Sequence, residues 1–246
     1  MTITTETRTP RRTSRHLAFR IVCALIAIVL VGGFQAWRGL IAPWLVLPDA
    51  TDHEWVRTPE LHRLADAAAG AYFLAVGTAL VLLLIRPRGR SGLSVWAIVN
   101  LAAMALFSSV SIILQSGDVP AALITAAVSL VIFAGPLIAL MPARRDLFRS
   151  GRPAADHPTG ITRRLLQGAT VIGLAIVVGA WAWRLSGGVI ENVREDDVVG
   201  FTLIGVLIAS GAALTLRGRE GWRPLAWIVA GVGAYALVAG VSILVS

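Results

Sequence analysis

The sequence contains no lysine and a single cysteine, Cys23. A lone cysteine excludes an intramolecular disulfide framework. Cys23 has no Cys or His neighbourhood, so metal or redox chemistry is not expected there. We read it as a small buried apolar side chain. Charge is also scarce. Only 15% of the 246 residues are Asp, Glu, Lys or Arg, against about 25% in an ordinary soluble domain. With 56% hydrophobic residues and a mean hydropathy of +0.75, this excludes a soluble globular domain, a disordered chain and a collagen. Also missing are a Walker loop, a dinucleotide fingerprint, a zinc-protease motif, a nucleophile elbow and a CxxC pair. We therefore assign no catalytic, cofactor-binding or metal-binding residue, and expect no cofactor and no enzyme.

Seven apolar segments are present instead. They run from about Arg20 to Trp37 (with an apolar extension to Leu47), Ala65 to Ile85, Leu93 to Leu114, Ala121 to Met141, Leu165 to Leu185, Val198 to Leu216 and Pro224 to Val245. Each suffices for a helix across the hydrocarbon core, and only closed hydrogen bonding is tolerated there. We expect an all-α integral membrane protein with seven transmembrane helices. The basic start followed by an apolar run looks like a signal peptide, but no A-x-A-like site follows Phe34, so we read a retained signal-anchor. Four regions result: a disordered basic cytoplasmic tail over 1–16, a first helix triplet over 17–115, a linker helix with a basic loop over 116–160, and a second triplet over 161–246.

All 22 basic residues are arginine, and the formal charge is +8. Such a balance could point to nucleic acid, but the arginines are sorted by side. Arg8, Arg11, Arg12, Arg15 and Arg20 fall on one side, with Arg86, Arg88, Arg90, Arg144, Arg145, Arg149, Arg152, Arg163, Arg164, Arg217, Arg219 and Arg223. The other side keeps Arg38, Arg57, Arg63, Arg184 and Arg194. The positive-inside rule places the N-terminus in the cytoplasm and the C-terminus outside, in an inner membrane. The charge is then an orientation signal. Expected partners are the bilayer, anionic lipids at the cytoplasmic face and another membrane protein, with no nucleic acid.

An offset of 131 residues aligns Glu60, Arg63 and Asp66 with Glu191, Arg194 and Asp197. It also aligns Arg86, Arg88 and Trp96 with Arg217, Arg219 and Trp227. We read a parallel 3+1+3 internal repeat, with the fourth helix as linker. This architecture is similar to that of the SWEET sugar transporters, although the expected orientation is opposite and the proline signatures of that superfamily are absent. Sugar transport is therefore not carried over. The element Glu60-Leu61-His62-Arg63-Leu64-Ala65-Asp66, together with Pro142-Ala143-Arg144-Arg145, resembles uncharacterised multi-pass membrane proteins of actinobacteria. Ala65 stands where that group has a further histidine. The resemblance implies topology and no chemistry.

Glu60, Arg63 and Asp66, at i, i+3 and i+6, share a helical face. Thr58-Pro59-Glu60 reads as the start of a helix. The two copies would either start two helices at the water interface or face each other as an extracellular charged cluster of Glu60, His62, Arg63, Asp66, Glu191, Arg194 and Asp197. We expect His62 on an amphipathic surface, since a pH or metal role needs partners. At mid-membrane depth the candidate polar residues are Asn100, Ser108 and Ser111, with Asn100 expected in an interhelical hydrogen bond. Small-residue pairs (Gly205 with Ala209, Ala230 with Ala234, Ala236 with Gly240) read as packing stripes. Most tryptophans read as an interfacial belt. The sequence favours a membrane accessory or assembly component. A small-molecule transporter or channel using the pseudo-symmetric interface comes next, and an intramembrane enzyme last.

Overall fold

The computed structural model describes residues 11–44, 59–141, 157–186 and 195–245. Described elements are α1 Arg11–Gly32, α2 Phe34–Ile41, α3 Pro59–Ile85, α4 Ser91–Ser116, α5 Val119–Ser129, α6 Gly135–Leu140, α7 Gly160–Leu185, α8 Glu195–Leu216 and α9 Trp222–Val245. With α5 and α6 counted as one span, seven helices are long and apolar enough to cross a membrane. The protein is an all-α, multi-pass membrane protein.

Each break has a local cause. α1 ends at the Gly32-Gly33 pair, where Gly33 is extended (φ −66°, ψ 135°) and glycine disfavours helix by roughly 1 kcal/mol. α4 ends on Gly117 at φ 67°, and α5 restarts at once because the Asp118 carboxylate accepts from Ala121 N at 2.9 Å. This is an N-cap with Pro120 in the first turn. Between α5 and α6 lies a π-helical turn, Leu130–Ala134. Pro136 has no N–H to donate to the preceding turn, so the ladder widens there. α1 begins at Arg11, inside the segment 1–16 expected as a disordered tail. Arg15 Nη2 donates to Ala139 O at 2.9 Å, which ties the basic start to the end of α6.

α3 and α8 form the centre. The α8 span is 72% buried and the α3 span 50%, against 11% for the α5–α6 span. α3 packs on α1, α2, α8 and α9, while α8 packs on α7, α4, α3 and α9. Leu80, Leu83, Trp96, Leu207 and Leu225 fill the space among these helices. Gly173 of α7 faces Gly205 and Ala209 of α8 so closely that a Cβ on Gly173 would lie 2.6 Å from Ala209 N. Gly39 and Gly70 bring α2 and α3 together in the same way. Of the three expected small-residue stripes, only Gly205 with Ala209 packs within the chain. Ala230 and Ala234 are exposed, and nothing lies near a Cβ built on Gly240.

The arginine-rich helix ends meet on one face. Arg20 Nη2 reaches Ile85 O at 3.4 Å, and Arg88 Nη2 donates to His16 Nε2 at 2.9 Å. Gly92 N donates to Glu220 O at 3.0 Å. His157 lies against Gly218.

Candidate functional site

At the arginine-poor end, Pro59 opens α3 and brings His62 inward one turn later. α3 and α8 approach closely here, because a Cβ on Gly200 would lie 3.0 Å from Ala65 O. The His62 side chain therefore reaches α8. Its Nδ1 donates to Asp197 Oδ1 at 3.3 Å, and its Nε2 lies 3.5 Å from Asp66 Oδ2. His62 is 5% exposed and Asp197 2%. The ring thus lies between a carboxylate of its own helix and one of α8.

The expected surface position of His62 is corrected. The apolar contact of two central helices buries the ring, and the two aspartates supply the partners that burial demands. Arg63 leaves the cluster. Its Nε donates to Ala42 O at 3.2 Å and its Nη2 bonds Pro43 O, closing the carbonyl end of the helical segment after α2. Glu60 is exposed in the first turn of α3. Glu191 and Arg194 lie outside the described residues. His62, Asp66 and Asp197 are thus brought together, and Glu60 and Arg63 are not. Among the described residues, no group of three His, Cys, Asp or Glu side chains is placed to hold a metal ion.

At depth, Asn100 is fully buried. Its Nδ2 donates to Trp96 O at 2.9 Å within α4 and to Ser210 Oγ of α8 at 3.4 Å. Tyr72 OH donates to the Asn100 backbone carbonyl at 2.6 Å. Trp96 is also fully buried, unlike the interfacial position read for most tryptophans. Gly211 offers no side chain opposite it, and the indole Nε1 donates to Leu207 O at 3.1 Å. Ser108 and Ser111 do not join Asn100. They lie eight and eleven residues further along α4, roughly 12 and 16 Å along its axis. Ser111 Oγ accepts from Gln115 Nε2 at 3.0 Å on its own helix.

A groove of about 530 Å³ opens between α3 and α9, bounded by Ala71 to Leu82 on one wall, Pro224 to Tyr235 on the other, and Leu40 above. Sequence reasoning found neither this groove nor the inserted Trp96. Helical patterning marks an apolar face without saying which large side chain turns in. The His62–Asp197 contact did leave a signal. Asp66 is four residues from His62, and Asp197 is the register mate of Asp66 in the offset of 131. No family model, no curated protein and no solved structure matches this chain.

Proposed function

We propose that the protein is a non-enzymatic accessory or assembly component of the inner membrane, with its N-terminus cytoplasmic and its C-terminus extracytoplasmic. The observation that carries this reading is the filled centre. Trp96 and Leu207 occupy the space between α4 and α8, and Asn100 Nδ2 donates to Trp96 O and Ser210 Oγ. A carrier working at the pseudo-symmetric interface needs a polar cavity at that point, and an assembly component does not.

The duplication remains our reading of the architecture. It is supported by the pairing pattern: α1 and α2 on α3 parallels α7 on α8, and α3 on α9 parallels α8 on α4. The gathered arginine ends support a cytoplasmic face that meets anionic lipid.

The experiment is photo-crosslinking in native membranes. Crosslinkers replace the exposed Leu123, Val171 and Leu237, one on each of α5, α7 and α9. A discrete adduct with a second membrane protein is expected at one of the three faces. No adduct at any face, together with saturable solute uptake by proteoliposomes, would overturn the reading.

A further inference from the structure

The groove between α3 and α9 is lined almost wholly by apolar side chains; Thr78, Tyr235 and the Trp227 indole are the polar groups on its walls. Its volume of about 530 Å³ lies within the roughly 300–1,000 Å³ typical of ligand pockets. From Ala71 to Leu82 it follows α3 for about 16 Å, close to half of a hydrocarbon core about 30 Å thick. It opens sideways: Trp227 on its wall is 78% exposed, and Thr78 is exposed. At the arginine-poor end it is closed, because Tyr235 OH donates to Leu40 O at 2.9 Å. The other end opens among arginines.

The hollow follows from the residues. Trp96 and Asn100 fill the contact between α4 and α8, and 131 positions later stand Trp227 and Gly231. Trp227 turns outward, and a Cβ on Gly231 would meet nothing within 4 Å. At the mouth, Arg90 Nη1 donates to Leu82 O at 2.6 Å, which uses one of the five guanidinium donors. Gly221, at φ 86°, keeps the backbone of Arg90 in place, since a Cβ there would lie 2.8 Å from Arg90 Cα. Arg86 and Arg223 are exposed beside the last α3 turn and Pro224, and Glu220 is the acid among them.

We infer that this groove binds an anionic phospholipid, with an acyl chain along α3 and α9 and its phosphate at Arg86, Arg90 and Arg223. Charge selects this occupant. A zwitterionic lipid would fit the apolar slot equally well but would gain less at a mouth with three arginines and one glutamate. The depth, one leaflet, suits a chain entering from the arginine-rich side.

The test uses the full chain in nanodiscs of equal phosphatidylglycerol and phosphatidylcholine, transferred to mild detergent for native mass spectrometry. The unmodified protein should retain phosphatidylglycerol over phosphatidylcholine by about tenfold, the scale expected of one or two arginines near a charged surface. Gly231→Phe fills the groove and should abolish retention. Thr78→Trp fills it from the opposite wall and serves if Gly231→Phe fails to fold. Arg86→Gln combined with Arg223→Gln should keep a lipid but erase the preference. Val131→Phe, on the distant π turn, should behave as the unmodified protein. The inference is overturned by unchanged phosphatidylglycerol retention in a folded groove-filling variant. It is equally overturned by equal loss in Val131→Phe, or by a groove-filling variant that only dissociates a dimer.

Discussion

His62 is the residue on which the end of the molecule opposite the arginines turns. Its imidazole reaches Asp66 on its own helix and Asp197 on α8, and two of these three side chains are almost wholly buried. Hydrogen bonds to charged groups contribute about 1.5–3 kcal/mol. Replacing His62 by Ala should therefore lower unfolding stability by about 2 kcal/mol, measured by steric trapping or denaturant titration in detergent. Glu60→Ala, an exposed change two residues away in the same motif, should leave it unchanged. Equal losses would show that the motif acts only as a helix start. Asn100 makes a weaker test of the same kind. A double-mutant cycle of Asn100→Ala and Ser210→Ala should give a coupling of about 0.6 kcal/mol, the average for such bonds between membrane helices. Thr202 Oγ is buried with no hydrogen-bond partner among the described residues. Thr202→Val removes that cost and should stabilise the protein by about 1 kcal/mol. The charged residues of this end were legible in the sequence as a repeated spacing. Their pairing was not. Spacing places Glu60, Arg63 and Asp66 on a common face, but it does not say that Arg63 turns to the α2 carbonyls while His62 turns inward.

At the scale of elements, the seven spans were legible because length and hydropathy alone define a membrane helix, and the observed ends lie within a few residues of the expected ones at most boundaries. The interruptions were less legible. The Gly32-Gly33 break and the π turn before Pro136 are local backbone events inside apolar runs that hydropathy reads as continuous. Which small residues form contacts was equally hidden, since Gly205 and Ala234 look alike in a helical pattern. The structure separates them. Gly205→Leu should drive α7 from α8, because even a Cβ there lies 2.7 Å from Gly173 O. Ala234→Leu, on an exposed face, should be tolerated. Thermal unfolding of the two variants compares them directly, and equal melting temperatures would contradict the observed α7–α8 contact.

For the whole molecule, the arrangement concentrates burial in α3 and α8 and leaves most of the outer spans unburied. The arginine asymmetry predicts that a reporter fused between Arg88 and Arg90 is cytoplasmic and that one at the C-terminus is extracytoplasmic. The reverse pattern would invert the orientation but not the fold. The functional reading depends on the centre being closed, and accessibility of single cysteines tests this most directly. In a Cys23→Ala background, Asn100→Cys and Ser210→Cys are probed from each side of sealed vesicles with a membrane-impermeant thiol reagent. The account predicts no labelling of either position from either side. Labelling of both, from opposite sides, would reveal an aqueous path through the centre and would contradict it.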